Sequence, residues 1–316
     1  MQYIGVMNSL SALSFTIIKG ILRFRYPLFV SRINLYVRTL RPKTFSRKIA
    51  YKMFHDRNPV MTILADKLAV REYVSSRIDD KYLVRLLWSG SDLNDFQTIT
   101  NLRNYVVKPN HGSHAAVIVS ELASAEQTLP KTVRFSRWSQ YILNPESVNL
   151  PSLVALTKYW MKLNYYWEPN KLPEWAYLQI QPRIMVEELL VGPKLGVPDE
   201  FRFFMIHGKC ELIYRFSNRF GNEELTLFNP DGTIREGSYL GLSSRLENLK
   251  MPFEFSEMLT IAEKLSKDLD FIRVDLYITN QGIKFSELTN YPMGGLRKFS
   301  PRNLEGQLAK KWAQSY

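Results

Sequence analysis

One stretch of the chain, FIRVDLYITNQGIKFSELTNYPMGG from Phe271 to Gly295, constrains the fold more than any other. Apolar and polar residues alternate on both sides of Asn280-Gln281-Gly282. This pattern predicts two antiparallel strands joined by a three-residue turn, with Gly282 in the left-handed conformation. The resulting pairs are Thr279 with Ile283, Tyr277 with Phe285, and Asp275 with Glu287. Because like charges directly opposite each other destabilise a sheet, the last pair needs a compensating charge.

A divalent cation is one candidate for that charge. Mg²⁺ in proteins commonly takes one or two carboxylates together with the phosphates of a nucleotide. Arg273 lies on the same face of the predicted hairpin, so a salt bridge on a solvated surface is the alternative. The hairpin alone leaves both interpretations open.

Two further motifs are typical of a nucleotide site. In VVKPNHGSH, Lys108 lies near the end of a predicted strand, and a short loop with Gly112 and Ser113 follows. Backbone N–H groups in such a loop can approach phosphate oxygens, and the lysine adds charge. In RIMVEELLVG, an apolar strand runs into Glu187 and Glu188, whose carboxylates could accept ribose hydroxyls. An ordinary turn and an ordinary strand end would look the same.

The rest of the chain mixes strands and helices without a strict βαβ alternation, which predicts an α+β fold. Helical spacing predicts one helix over Met61–Ile78 and another over Ser256–Leu269 with Ser256 as its N-cap. The strand pattern predicts a strand over Tyr82–Gly90 and a hairpin over Glu200–Phe216 that turns at His207-Gly208. The aromatic-rich segment Lys158–Tyr177 could stack on a sugar ring, although packing between elements explains it equally.

The basic charge is concentrated at the N-terminus. The chain of 316 residues carries a net charge of +12, but residues 1–60 hold 11 Lys/Arg and a single acid, Asp56. The remainder is nearly neutral, which weakens a nucleic-acid role for the whole protein. The basic residues of 19–57 could contact an anionic membrane surface, or they could form the solvated face of a helical lobe. The uncharged start is short and polar for a membrane span, and its basic residues follow the apolar stretch, unlike a secretory signal. One cysteine, Cys210, excludes an internal disulfide framework and suits the cytoplasm.

Six blocks in this order resemble the ATP-grasp superfamily, and within it the TupA-like branch associated with teichuronopeptide and surface-polysaccharide biosynthesis. The blocks are ADKLAVREYV, VVKPNHGS, EWAYLQIQPRIMVEELL, DEFRFFMIHGK, the hairpin stretch and FSP. The resemblance covers about Lys43 to Trp312. It implies two α+β lobes that clasp ATP, preceded by a basic helical segment. We expect boundaries at 1–60, 61–103, 104–190 and 191–316, the last two being the central and C-terminal ATP-grasp lobes.

The resemblance also implies a role for each matching residue. It assigns ATP contacts to Lys67, Lys108, His111, Gly112, Ser113, Glu187, Glu188 and Arg202. It assigns Mg²⁺ to Asp275, Glu287 and Thr289, and catalysis to Arg273 and Lys108. It assigns substrate contacts to Gly294 and Gly295. Arg297 and Lys298 follow this loop and could hold an acidic substrate, or they could belong to a solvated basic tail. Thr289 stands where the superfamily often has Asn, and Arg202 where the branch often has Lys; a hydroxyl is a weaker ligand, and Arg and Lys are not equivalent.

The function implied by this resemblance is an ATP-dependent carboxylate–amine ligase that forms an amide through an acyl-phosphate. The branch suggests an amino acid joined to a uronic-acid sugar of a surface polysaccharide. A kinase of the same fold that phosphorylates a sugar is the principal alternative. A glycosyltransferase using Asp268-Leu269-Asp270 as an Asp-x-Asp motif, and a membrane-surface protein with a decayed nucleotide site, are further alternatives. We expect a cytoplasmic enzyme, with peripheral attachment to the inner face of the membrane left open.

Overall fold

The computed structural model of the protein describes residues 39–130, 138–168, 172–193, 196–217, 223–245 and 251–313, together with positions 33, 36 and 37. Positions 19–32, 34, 35 and 38 of the predicted membrane-contact segment lie outside these residues. No helix within the described ranges is both long and apolar enough to cross a membrane.

Helices and strands are mixed along the chain, as an α+β fold requires. The α-helices with described bounds are α1 (Phe45–His55), α2 (Val60–Ala65), α3 (Ala69–Ser75), α4 (Leu150–Trp160), α5 (Phe255–Ser266) and α6 (Arg302–Lys311). The strands are β1 (Leu86–Gly90), β2 (Tyr105–Pro109), β3 (Ala116–Val119), β4 (Gln140–Leu143), β5 (Ile184–Glu188), β6 (Asp199–Ile206), β7 (Lys209–Ser217), β8 (Glu224–Phe228), β9 (Ile234–Arg235), β10 (Ser238–Tyr239), β11 (Leu242–Ser243), β12 (Phe271–Thr279) and β13 (Gly282–Thr289).

Two large sheets organise these strands. The first has five strands in the order β1-β5-β2-β3-β4, and the second has six in the order β13-β12-β6-β7-β8-β9. The six-stranded sheet is antiparallel throughout, whereas β3 and β4 of the five-stranded sheet run parallel. A short pair, β10 and β11, completes the described strands. The predicted α+β fold is confirmed.

Helices cover both faces of the six-stranded sheet because its central strands are apolar on both sides. On β6, Phe204 packs in a cluster with Phe45 of α1 and Leu308 of α6. Its neighbour Phe203 packs in the opposite cluster with Met258 of α5. This alternation follows from the two-residue period of a strand. A third cluster joins the five-stranded sheet to α4.

Helix α1 is therefore part of the core, although the sequence places it in the basic segment. Thr44 caps it by accepting a hydrogen bond from the Arg47 N–H. Lys48 is buried and donates to the Trp312 carbonyl oxygen. Lys52 is buried as well and pairs with Asp56 at 2.9 Å and Asp270 at 2.5 Å. These two lysines act inside the protein and do not face a membrane.

Three predicted elements have different bounds. The single helix over Met61–Ile78 is wrong, because Asp66 ends α2 and its side chain accepts the N–H of Leu68 at 2.9 Å, which starts α3. Helix α5 begins at Phe255 with Glu254 at the N-cap, so Ser256 is not the cap. The strand over Tyr82–Gly90 is shorter than predicted, because the Asp79 side chain caps a 3-10 turn that ends at Tyr82.

Both predicted hairpins are present. The β6–β7 hairpin turns at His207-Gly208, both with positive φ (48° and 76°), as the right-handed twist of two strands joined by two residues requires. In the β12–β13 hairpin, Gly282 has the predicted positive φ of 89°.

The register near the β12–β13 turn differs by one residue from the prediction. Thr279 pairs with Gly282 and Tyr277 pairs with Lys284, so the predicted pairs there are wrong. The strand then carries one extra residue, Ser286, and beyond it Asp275 pairs with Glu287 as predicted. A β-bulge of this kind lets two residues oppose one and redirects the side chains beside it.

Candidate nucleotide and metal site

The centre of the site is a cluster of charges on three adjacent strands. On β12, Arg273 and Asp275 point to one face because they are two residues apart. Asp275 lies opposite Arg202 of β6 on one side and opposite Glu287 of β13 on the other. Its side chain is fully buried, whereas that of Glu287 is 44% exposed. The sheet therefore brings three predicted site residues around one buried carboxylate.

Arg273 neutralises this cluster from within. Its Nε donates to Asp275 Oδ1 at 2.7 Å, and its Nη2 donates to Asp275 Oδ2 at 2.5 Å. The same Nη2 also donates to Glu287 Oε1 at 2.8 Å and Thr289 Oγ1 at 2.9 Å. We call Asp275 Oδ2, Glu287 Oε1 and Thr289 Oγ1 the oxygen triad. The salt bridge that the sequence offered as an alternative to a metal is thus present and uses the same oxygens, but Arg273 and Asp275 are buried, so it does not lie on the solvated surface that was expected.

Side chains of the protein already hold the guanidinium of Arg202. It donates to Glu200 Oε2 from Nε at 3.0 Å and from Nη2 at 2.5 Å, and to the Tyr214 hydroxyl at 2.7 Å. Its guanidinium lies over the rings of Tyr214 and Phe216, and its Nε is 3.4 Å from Asp275 Oδ2. Arg202 thus holds Asp275, and its assignment to ATP stays a prediction that this geometry does not favour.

Glu200 is a functional candidate that the sequence analysis missed. It is buried, and its Oε1 accepts a hydrogen bond from the Ser286 hydroxyl at 3.1 Å. The signal was present: Glu200 and Arg202 are two residues apart in a predicted strand and share a face. Only the register of β6 against β12 shows that this face is the one that carries Asp275.

Burial and charge act oppositely on the two carboxyl groups. Burial raises the pKa of Asp275 above its ordinary value, while Arg273 and Arg202 oppose that rise. At Glu287, partial desolvation would also raise the pKa, but the charges of Arg273, Arg202 and Lys67 outweigh it and hold the pKa well below the ordinary value. Glu287 is therefore an ionised carboxylate, and its side chain is partly exposed.

The five-stranded sheet supplies a second group of charged residues. Lys108 on β2 lies 2.5 Å from Glu187 on β5, and Arg71 of α3 approaches the same carboxylate at 3.4 Å. The sequence predicts that Glu187 is a carboxylate open to a ribose, but the structure pairs it with two cations. Arg71 was missed, although it lies inside the ADKLAVREYV block.

Lys67 interacts with charged residues of both sheets. It follows α2, and its Nζ donates to the carbonyl oxygen of Gly112 in the predicted phosphate loop. Burial lowers the pKa of Lys67 to about 8, and the charge of Lys108 adds to that effect while Glu287 opposes it. Lys67 thus interacts with charges on both sheets, and two lysines close together are a setting that phosphate anions stabilise.

The predicted phosphate loop is packed more tightly than its sequence suggests. The His111 ring is buried, with Nδ1 3.1 Å from the Asn110 side-chain oxygen and Nε2 3.1 Å from the Trp160 carbonyl oxygen. Burial lowers the pKa of His111 to about 4, so the ring is neutral. The ring packs against Trp138. The predicted ATP contact of His111 stays a prediction, and the buried neutral ring favours a structural role for its imidazole.

Gly112 and Ser113 have structural partners as well. A Cβ at Gly112 would overlap the Trp138 ring, so close packing also explains this glycine. Ser113 is half-buried and hydrogen-bonds the phenol of Tyr165. Tyr165 in turn contacts the Trp138 and Tyr177 rings. The loop thus rests on an aromatic cluster from the Lys158–Tyr177 segment, which favours packing over sugar stacking for Tyr165.

Of the remaining predicted residues, Glu188 accepts a hydrogen bond from the Gln281 side chain at 2.9 Å, which ties the tip of the hairpin to β5.

Gly294 and Gly295 are buried and have positive φ. A Cβ at Gly294 would overlap Leu172, and one at Gly295 would overlap the Ser46 carbonyl oxygen. Arg297 and Lys298 are exposed. The two glycines serve packing, and a substrate role for all four stays a prediction.

The Asp-x-Asp motif lies away from this cluster. Asp270 precedes β12 and binds Lys52 together with the Trp312 indole N–H at 3.1 Å. Asp268 has a positive φ of 68° in the turn after α5. Both residues have structural roles, which does not favour a glycosyltransferase site.

The residues present fit a hard divalent cation and a polyphosphate. The oxygen triad converges on one positive nitrogen, and carboxylate and hydroxyl oxygens are the donors that Mg²⁺ prefers. No group of three or more His, Cys, Asp or Glu in the described part of the chain forms a metal-binding cluster, so phosphate or water oxygens would have to complete the shell. Lys67 and Lys108 provide the positive charge that phosphates need.

The comparisons with solved structures are distant. ATP-grasp ligase PsnB with its minimal precursor is 14% identical, with a TM-score of 0.40, and the match covers 80% of this chain and 61% of that one. D-alanine–D-alanine ligase from Bacillus anthracis with ATP is 13% identical (TM-score 0.37; 73% and 55% covered). N5-carboxyaminoimidazole synthetase from Staphylococcus aureus is 10% identical (TM-score 0.37; 73% and 45% covered). The chain thus spans about three fifths or less of these proteins.

No curated protein matches the chain. A family profile, described as TupA-like ATPgrasp, matches residues 47–312. This range agrees closely with the range of the resemblance seen in the sequence. Because it includes both sheets and every predicted site residue, the chain belongs to the TupA-like ATP-grasp family.

Proposed function

We propose that the protein is an ATP-dependent ligase that joins a carboxylate to an amine and releases ADP and phosphate. The observation that carries this proposal is the oxygen triad on β12 and β13, whose Glu287 interacts with the charge of Lys67, which in turn interacts with the charge of Lys108. Family membership supports the same conclusion. The arrangement provides a place for a cation, a place for phosphates and no side chain that must act as a nucleophile.

In the proposed reaction, a substrate carboxylate oxygen attacks the γ-phosphorus of ATP, and the bond to the β-phosphate oxygen breaks. The amine then attacks the acyl-phosphate carbon, phosphate leaves, and the amine loses a proton to solvent. Lys67 and Lys108 neutralise phosphate charge, and Arg273 faces the oxygen that becomes negative in the tetrahedral intermediate. Mg²⁺, when bound at Glu287, Thr289 and Asp275, would neutralise the β- and γ-phosphates.

The substrates we propose are an amino acid or another amine and a uronic-acid sugar of a surface-polysaccharide precursor. This choice is supported by the TupA-like family and by exposed Arg297 and Lys298, which could hold an acidic sugar. The sugar kinase remains the principal alternative, because it would use the same nucleotide residues and differ only in the acceptor.

One incubation separates these reactions. Purified protein is mixed with Mg²⁺, ATP, a pool of amino acids and a panel of uronic-acid acceptors, and ADP and free phosphate are both measured. The ligase requires equal release of ADP and phosphate that depends on both substrates. ADP without free phosphate indicates the kinase, and release of neither product from any combination counts against catalysis.

A matched pair of variants shows that the site causes the release. Glu287→Gln removes the exposed charge of the oxygen triad and should abolish both products. Glu263→Gln makes the same chemical change on an exposed turn of α5 and should retain them. Equal activity in the two variants would contradict the assignment of the site.

We also propose peripheral contact between the N-terminal segment and anionic lipid. Lys48 and Lys52 are buried, so the contact must come from other basic residues of positions 19–57. Replacing Arg23, Arg25 and Arg32 with Glu should release the protein from vesicles that contain anionic lipid, and unchanged binding would reject the proposal.

A further inference from the structure

Nη2 of Arg273 lies where the oxygen triad converges, at 2.5, 2.8 and 2.9 Å from its three members. Two of these oxygens belong to carboxylates, and the third belongs to a hydroxyl. Three oxygens around one positive centre form a cation site. Its occupant in this structure is a side chain of the protein itself.

We propose that Arg273 acts as the built-in counter-ion of the metal position and leaves that position when Mg²⁺ and nucleotide bind. Its guanidinium then becomes available to the reacting carboxylate. This inference rests on the proposed function, because it uses the same site and the same reaction. It adds that metal binding and the release of Arg273 are one coupled event.

The two occupants exclude each other for geometric and electrostatic reasons. A Mg²⁺–oxygen bond is about 2.0–2.1 Å long, so the ion would lie inside the space that Nη2 fills. Two positive centres at that separation would also repel strongly in a buried site. Glu287 is the partly exposed member of the oxygen triad, whereas Asp275 is fully buried.

Arg202 keeps the site in place when Arg273 moves. Its Nε is 3.4 Å from Asp275 Oδ2, so Asp275 retains one positive neighbour. Glu200 and the Tyr214 hydroxyl hold the guanidinium of Arg202 through three hydrogen bonds. Arg202 and Glu200 are thus positioning residues: they aim Asp275 and need not touch the substrate.

The first test measures Mn²⁺ binding without nucleotide, from the electron paramagnetic resonance signal of free Mn²⁺. Arg273→Gln vacates the cation position, and Arg202→Gln removes an equal charge beside Asp275 without vacating it. We expect Arg273→Gln to bind Mn²⁺ at least about tenfold more tightly than the wild type. Arg202→Gln should bind Mn²⁺ no more tightly than the wild type, because it removes a charge but also loses the contact that aims Asp275. Equal or weaker binding by Arg273→Gln, or an equal gain in both variants, would overturn the proposal.

The second test uses the wild-type chain, so it does not depend on the folding of a variant. Arginine Nε–Hε signals are recorded by ¹⁵N nuclear magnetic resonance before and after addition of Mg²⁺ and ADP, and Arg273→Lys and Arg202→Lys assign them. The Arg273 signal should shift as its bond to Asp275 breaks, while the Arg202 signal stays. If Mn²⁺ and ADP bind but the Arg273 signal does not move, this inference fails alone. If no metal binds even with ADP, the metal site of the proposed function fails with it.

Discussion

Replacing Gly295 with alanine should destabilise the protein by separating α1 from the loop after β13. Gly295 has a φ of 71°, and its Cα faces the first turn of α1. An added Cβ would overlap the carbonyl oxygen of Ser46 and lie 3.0 Å from the backbone nitrogen of Ala50. Both contacts are with backbone, so a rotamer change cannot relieve them.

The magnitude has two parts. An L-residue in the left-handed region costs about 1–2 kcal/mol. Forcing extra volume into a packed contact typically costs about 1–3 kcal/mol more. We therefore expect the free energy of unfolding to fall by about 2–5 kcal/mol. For a chain of this size, each kcal/mol lowers the melting temperature by about 2–4 °C.

Two other glycines provide matched controls. Gly282 has a φ of 89° with no atom within 4 Å of an added Cβ, so Gly282→Ala measures the backbone cost alone. Gly306 lies in α6 with the same open surroundings and without positive φ. Gly306→Ala should therefore stabilise the protein by about 0.5–1 kcal/mol. Thermal and denaturant unfolding of the three variants separate the free-energy cost of the backbone conformation from that of packing.

We expect the alanine substitution to destabilise the protein most at Gly295, less at Gly282 and least at Gly306. If Gly295→Ala matches Gly282→Ala in stability, then α1 does not pack against this loop as described. If it also loses ligase activity with normal stability, the loop serves the substrate, and the packing explanation is refuted.

Three further predictions concern single residues. Burial lowers the pKa of Lys67 to about 8, and a bound phosphate would raise that pKa again. Nucleotide binding at pH 8.5 should therefore take up protons. The proton uptake is measured from the binding enthalpy in buffers of different ionisation enthalpy. Lys67→Met should remove this uptake. Asp270→Asn should lower the melting temperature, since it weakens the contacts to Lys52 and Trp312, and leave ATP affinity unchanged in equilibrium binding. Burial raises the pKa of Cys210 to about 12, so a thiol reagent should label it only after unfolding, as followed by mass spectrometry.

Each of these expectations has a contrary result. If the binding enthalpy of the wild type does not depend on the buffer, then Lys67 does not change its protonation when the nucleotide binds. Loss of ATP affinity in Asp270→Asn would favour the Asp-x-Asp motif as a ligand site. Rapid labelling of Cys210 in the native protein would show that β7 is open to solvent.

The β12–β13 hairpin shows how far sequence reasoning reaches. Alternation and a glycine turn located both strands, and the facing of Asp275 and Glu287 was predicted correctly. The pairs nearer the turn were wrong by one residue, because Thr279 pairs with Gly282 and a bulge at Ser286 restores the register. Periodicity reports which face a residue occupies, but a bulge leaves no trace in that pattern.

Other residues show what sequence reasoning does not reach. His111 and Gly112 looked like parts of a phosphate loop, yet the structure packs them on Trp138. Lys48 looked like part of a membrane-facing patch, yet it is buried beside Trp312. Such contacts join residues far apart in the chain, and residue type alone does not indicate them.

The sequence by itself determined the α+β class, the two hairpins, the family and most of the charged residues of the site, because strand period, turn chemistry and ordered motifs are local properties. Only the tertiary structure decided that Arg202, Glu200 and Asp275 meet across β6 and β12, and that Arg273 Nη2 fills the centre of the oxygen triad. Pairing between strands far apart in the chain sets these contacts, and a buried charge is tolerated only where such pairing supplies its partner.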